Sequence, residues 1–439
     1  MSSAAHFFDR HAAGALLFLA VLYAGGGHYG LVRWRLASAP VPAAIPAPDW
    51  EAEYPFPAGL EPPPRVAASP SPADDETAAP AVRFKAQVQR RIQRIEAFAR
   101  ENALLRIPLS EANMAFRRFA GMRLFPDADD VLRLNNGWLD LPSVAANVDY
   151  DADQIAALRD LCAARGMGFL YVAAPGKCDR LDTQLPAGFA DFTNPNVDRF
   201  AARLAERGVP CLDLREPLRR DFADRWNVFF RTDHHWKPEA GLWAADQIAA
   251  ELNRRFDFGI PAGLLAPTNY AVEVRPAFFL GSLGKKVTRA YVAPDDFSLL
   301  TPKFESRLSL VIPTRRVRQT GSFRRALIDA RQIARRNLYG RNPYAAYLYG
   351  DSAFLAITNH LRPDGRRLLV VKDSTANVVL PFLALGTAAL EAVDLRHFNG
   401  SLRALIDRRR PDAVVVLYGA RSIRTTTPAT PRNGCFRLE

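Results

Sequence analysis

The chain has 439 residues, 49% of them apolar, which is enough for a sizeable core in one large domain or two ordinary ones. Its four cysteines, at 162, 178, 211 and 435, form no CxxC pair, which argues against a structural zinc site and leaves one or two disulfides open in an exported domain. A net charge of +12 comes largely from arginines, but no nucleic-acid motif or aromatic interleaving accompanies them, so nucleic acid is a poor fit.

Ala13 to Val32 is free of charged side chains over twenty residues, about the length a helix needs to cross a bilayer. Gly25-Gly26-Gly27 interrupts it, and Ala37-Ser38-Ala39 offers a signal-peptide cleavage pattern, but Pro40 follows at once and Arg33, Trp34 and Arg35 intervene. The expectation is an uncleaved anchor over 1–36. Arg33 and Arg35 by themselves favour a cytoplasmic downstream side. Residues 37–82 read as a Pro/Ala-rich linker, with twelve prolines between 40 and 80. Phe84, Val88, Ile92, Ile95 and Phe98 then recur at helical spacing, predicting a helix over about 82–105 that Pro108 ends.

From about 150, helical and strand patterns alternate. Helices are expected at 153–165, 196–206 and 238–256, and buried strands at 169–173, 210–214, 367–371 and 413–417, with a helix beginning at 378–385. Such alternation implies a mostly parallel sheet covered on both faces, with its site at the carboxyl ends of the strands. Short alternating runs, prolines and glycines over about 265–350 read as a β-rich insertion. Nine arginines between 315 and 341 face only Asp329 in opposition. A solvated helix face is the plain reading, and a seat for anionic polymer or lipid head groups is the alternative.

The chemistry concentrates in Asp233-His234-His235-Trp236. Of seven histidines, His6, His11 and His28 lie in or beside the N-terminal apolar run, leaving His234, His235, His360 and His397 for proton transfer. An Asp two residues before a His can orient it as a Ser-His-Asp relay requires. Two serines compete as partner, Ser352 in Gly350-Asp351-Ser352 and Ser374 in Lys372-Asp373-Ser374. Ser374 has a strand before it and a helix after it, as a nucleophile turn needs, whereas Ser352 runs into a strand. Without a histidine, Ser374 would be an ordinary helix cap.

On these residues, with Asn136-Gly137-Trp138-Leu139, Ala174-Pro175-Gly176-Lys177 and Phe279 to Lys285 in support, the chain resembles DHHW-type SGNH-hydrolase-like proteins, relatives of the AlgJ and AlgX alginate O-acetyltransferases. The resemblance covers roughly 84–420. It implies an SGNH-hydrolase-like three-layer α/β sandwich, a catalytic domain over 83–430 and a permuted order of catalytic residues. It makes Asp233 the orienting acid, His235 the base and Ser374 the nucleophile. His234, Arg231 and Lys372 are then substrate contacts, and Gly350 and Asn377 are weak candidates for donors to an oxyanion. No cofactor or metal is called for. The implied activity is O-acyl (O-acetyl) transfer to an extracytoplasmic polysaccharide, with a membrane O-acyltransferase delivering the acyl group and the domain held outside the inner membrane. An esterase of envelope glycans and a non-catalytic polysaccharide-binding scaffold remain as rivals.

Overall fold

The computed structural model describes residues 103–424 and 435–436. The expected anchor, the linker and nearly all of the helix over 82–105 lie outside them. Among the described residues no helix is long and apolar enough to cross a membrane.

The described chain forms two compact units. The smaller comprises 103–132 and 284–293. Its helix, Ala103–Phe119, passes through Pro108 instead of ending there. A proline forfeits one backbone hydrogen bond and crowds the preceding turn, but Asn113 and Met114 are buried one to two turns on, so packing keeps the helix going. Leu124–Phe125 pairs antiparallel with the start of Val131–Arg133, and the Tyr291 ring meets Phe125 edge-on at 4.8 Å.

The larger unit comprises 133–283 and 294–424 with 435–436. It is built on an eight-stranded sheet, whose strands in chain order are β1 (Gly168–Ala174), β2 (Cys211–Asp213), β3 (Leu308–Ile312), β4 (Val317–Gly321), β5 (Phe354–Asn359), β6 (Arg367–Lys372), β7 (Ala389–Val393) and β8 (Ala413–Gly419). Their spatial order is β2-β1-β8-β6-β7-β5-β3-β4. The first five in that order run parallel, and the last three join antiparallel.

Side chains alternate across the pleat, and both faces are apolar. Leu170, Val172, Leu368, Val370, Val415 and Leu417 pack on one face, with Ala244, Ile248 and Leu252 of helix Pro238–Phe256. Phe169, Tyr171, Leu369, Val371, Val414 and Val416 pack on the other, with helices Asp149–Ala163, Thr193–Glu206 and Leu402–Arg409. The result is a three-layer α/β/α fold of SGNH-hydrolase-like type. Each buried Leu, Ile or Val contributes roughly 1.5–3 kcal/mol relative to exposure.

The stretch 265–350 is not uniformly apart from this sheet. Tyr270–Phe279 and Asp295–Pro302 pair as a separate antiparallel ribbon, while β3 and β4 extend the main sheet to its edge. The expected helix over 378–385 is broken into Ser374–Val378, Leu380–Leu383 and Ala384–Gly386, with Pro381 near the start of the middle piece. The four cysteines are free thiols, and burial pushes those of Cys162 and Cys211 up to about 12.

Candidate active site

Three loops at the carboxyl ends of parallel strands converge on one cleft. Pro175–Cys178 follow β1, Asp373–Thr375 follow β6, and Ala420–Ser422 follow β8. The cleft encloses about 230 Å³ and also takes in His234, Trp236, Asp140 and Arg396.

The turn that carries Ser374 is fixed from several sides. Asp373 caps the short helix through the Thr375 N–H at 2.8 Å. Its other carboxylate oxygen accepts from the Gly419 N–H at 2.8 Å and the Ser422 hydroxyl at 2.6 Å. Asp373 thereby ties the ends of β6 and β8 together. The Tyr344 hydroxyl donates to the Ser374 carbonyl at 3.0 Å, and the Trp236 indole N–H donates to the Thr375 carbonyl at 2.9 Å.

His235 reaches the turn from the loop before helix Pro238–Phe256. That loop is pinched by a bridge between Phe229 and Trp236. His235 Nε2 lies 2.8 Å from Ser374 Oγ, and Nδ1 lies 2.5 Å from Asp233 Oδ1. The Tyr344 ring stacks on the imidazole at 4.1 Å, fixing its plane. Asp233 accepts further hydrogen bonds from the His235 N–H and, on its second oxygen, from the Ser282 N–H. Burial alone would raise its carboxyl, but the imidazoles of His235 and His234 and these hydrogen bonds hold it well below the usual carboxylate range. Gly281 is required here: a Cβ would come within 2.3 Å of the Asp233 Cβ and 2.6 Å of the Thr232 carbonyl.

His234 lines the cleft with 31% of its side chain exposed, and its Nδ1 lies 3.3 Å from Ser282 Oγ. Desolvation, and then the adjacent His235, lower its imidazole well below the ordinary histidine value. It therefore presents a neutral ring to the cleft at pH 7.

The other expected substrate contacts lie elsewhere. Arg231 is half-buried outside the cleft lining, bonded to the Pro294 carbonyl and set over the Trp138 ring. Lys372 and Asn377 are buried next to the turn that carries Ser374. Lys372 Nζ lies 2.8 Å from Asn377 Oδ1, 3.3 Å from Asp351 Oδ1 and 3.6 Å from Asp394 Oδ2, while Asn377 Nδ2 donates to Asp351 at 2.8 Å. They brace the turn and are not among the residues lining the cleft. Gly350 N–H is spent on the Tyr347 carbonyl, and one of the two Asn377 side-chain N–H groups is spent on Asp351. Ser352 is buried, and its hydroxyl has no hydrogen-bond partner among the described residues. Its neighbour Asp351 is the residue that reaches toward Ser374, through Asn377 and Lys372.

Tyr344, Gly281, Asp373, Ser422 and Asp351 carried no isolated sequence signal of these roles. Among the described residues, two groups have ligand atoms close enough for a metal ion: Asp233/His234/His235 and Asp351/Asp394/His397. In the first, both nitrogens of His235 are committed to Asp233 and Ser374. In the second, the acids already face Lys372 and Arg396.

The fold and this constellation define a serine–histidine–aspartate arrangement on an SGNH-hydrolase-like sandwich. Residues 134–288 match the family model described as SGNH hydrolase-like domain, acetyltransferase AlgX, and the chain resembles the DHHW-type proteins related to AlgJ and AlgX. No curated protein matches it. Among solved structures, PatB1 of Bacillus cereus aligns with a TM-score of 0.58 at 19% identity, covering 71% of this chain and 100% of that one. A second PatB1 structure, carrying a sulfonyl adduct, gives 0.57 at 18% identity, covering 70% and 99%. A DHHW family protein from Eubacterium siraeum gives 0.51 at 17% identity, covering 69% and 93%. At these identities the likeness is one of fold.

Proposed function

We infer that this protein is a serine-dependent O-acyltransferase, most simply an O-acetyltransferase, acting on an extracytoplasmic polysaccharide. The observation that carries the reading is the 2.8 Å contact between His235 Nε2 and Ser374 Oγ, with Asp233 behind the imidazole. In this reading His235 takes the Ser374 proton as Oγ attacks the acyl carbon, and the proton passes to the donor's leaving group as it departs. A sugar hydroxyl then gives its proton to His235 Nε2 and attacks the acyl-serine, and Ser374 leaves reprotonated. The Ser374 backbone N–H has no acceptor among the described residues and supplies one donor to the oxyanion.

Asp233 and His235 precede the serine in the chain, the permuted order that the resemblance implies. The match to an acetyltransferase family model supports acetyl as the group transferred. The apolar run at 13–32 and the proline-rich stretch after it support an inner-membrane anchor with the domain on the periplasmic side, where a membrane O-acyltransferase would supply the acyl group.

The test is intact mass spectrometry after brief exposure to an activated acetyl ester and an acid quench. One acetyl adduct on Ser374, absent in Ser374→Ala, is expected. Adduct on another residue, or none together with no turnover, overturns the reading. Release of acetate without transfer to any added glycan would make the protein an esterase.

A further inference from the structure

Asp233 stands behind two imidazoles, and the proton relay uses only one of them. Its Oδ1 lies 2.5 Å from His235 Nδ1 and 3.5 Å from His234 Nδ1. The two rings adjoin, with centroids 3.8 Å apart and planes tilted by 37°. An imidazole engaged through Nδ1 turns its Nε2 the other way, so both rings direct Nε2 away from Asp233. For His235 that nitrogen ends 2.8 Å from Ser374 Oγ. For His234 it has no hydrogen-bond partner among the described residues and is not among their buried unpartnered atoms. It is therefore open to the cleft that His234 lines.

The proton on this neutral ring has one favourable place. A bare Nδ1 lone pair would face the Asp233 carboxylate, whereas an Nδ1–H faces that carboxylate and Ser282 Oγ, 3.3 Å away. Nδ1 therefore carries the hydrogen, and Nε2 is an acceptor to which no described group donates. An acceptor in the cleft selects a donor in the ligand. The carbonyl of an acyl donor and the ester of an acyl-serine only accept hydrogen bonds. The acyl acceptor is the reactant that brings O–H groups. Its reacting hydroxyl has a single proton, however, and His235 takes it. A second hydroxyl is needed for His234, and because the rings adjoin it must lie close to the first.

We propose that His234 sets acceptor specificity: its Nε2 accepts a hydrogen bond from the hydroxyl on the carbon next to the one being acylated, so the preferred acceptor is a vicinal diol. This deepens the acyl-transfer reading and rests on it. In the transfer step the reacting hydroxyl gives its proton to His235 Nε2 and its oxygen bonds to the acyl carbon. The bond from that carbon to Ser374 Oγ breaks, and His235 returns the proton to Oγ. The neighbouring hydroxyl keeps its proton and holds the reacting oxygen against the acyl-serine. Water, with both its protons on one oxygen, is the competing occupant.

The test loads the full chain with an activated acetyl ester in the presence of two competing acceptors. One is cyclohexanol, and the other is a cyclohexanediol with its hydroxyls on adjacent carbons. Chromatography counts the acetylated products and free acetate, and intact mass reports the Ser374 adduct. The product ratio cancels any loss of acylation common to both acceptors. The wild-type protein should prefer the diol, per hydroxyl, by about three- to tenfold, the worth of one net hydrogen bond. His234→Phe should abolish that preference. His234→Gln, whose amide oxygen can accept in place of Nε2, should restore part of it. Equal transfer per hydroxyl in the wild type, a preference that survives His234→Phe, or an adduct that yields only acetate would overturn the inference and leave the acyl-serine standing. No adduct in the wild type would overturn the acyl-transfer reading, and this inference with it.

Discussion

Replacing Asp233 by Asn tests the relay while leaving the shape of the side chain almost unchanged. In the wild-type protein one carboxylate oxygen accepts from both the His235 N–H and Nδ1–H, and the other accepts from the Ser282 N–H. An amide has one acceptor oxygen and one donor NH₂. If the oxygen faces Ser282, the NH₂ meets the backbone N–H of His235; if it is flipped, the NH₂ meets the N–H of Ser282. Either way a buried donor is left against a donor, at about 1–3 kcal/mol of stability. With an NH₂ opposite, Nδ1 becomes an acceptor and the proton moves to Nε2, which then cannot take the Ser374 proton. In the Ser-His-Asp relay, the corresponding change costs about 10⁴ in turnover, or about 5 kcal/mol of activation free energy. The assay is the pre-steady-state release of leaving group from an activated acetyl ester, with urea unfolding in parallel. The expected result is an acylation rate down by about 10³–10⁴ in a folded protein. A loss of less than about tenfold would refute the assignment of Asp233 as the orienting acid.

Lys372→Met should destabilise by about 1–3 kcal/mol, because it removes one of the cations facing Asp351 and Asp394 and leaves them to Arg396; a midpoint shift in urea checks it. Tyr344→Phe removes the hydroxyl from the Ser374 and Thr375 carbonyls but keeps the ring on His235, so about 1 kcal/mol of stability and less than about tenfold in acylation rate should be lost. Burial would raise the Asp351 carboxyl, but Lys372 and Arg396 outweigh it and hold it below its ordinary value. The unfolded chain then binds the proton first. The contribution of Asp351 is therefore full above about pH 4 and declines as pH falls below the unfolded value, so Asp351→Asn should flatten the acid limb of a Tm-against-pH curve.

Much of the architecture was legible because buried parallel strands write themselves as apolar runs, as in Leu368 to Val371 and Val414 to Leu417. His235 was visible as a scarce residue type, and Asp233 and Ser374 by their local context. What the reading could not supply was direction. Leu368 and Val370 face the core on the side of helix Pro238–Phe256, and strand alternation sends Lys372 to that same side. Its expected contact with substrate therefore became a brace under the turn, a correction the period of two could have anticipated. Tyr344 and Gly281 gave no such handle, since their importance lies in touching residues far away in sequence. The membership of β3 and β4 in the main sheet escaped for the same reason: antiparallel pairing to a distant strand leaves no mark in the pairing segment itself.

The indole of Trp236 and the carbonyl of Thr375 are joined across 139 residues of chain, and the same separation divides His235 from Ser374. During synthesis, the acid and base leave the ribosome well before the serine exists. Only a chain elongated past β6, with its turn closed against β8, can assemble the three groups. A nascent or truncated protein ending before that point is chemically silent. Under the proposed acyl transfer, onset of Ser374 acylation would therefore report closure of the β6 and β8 ends of the larger unit.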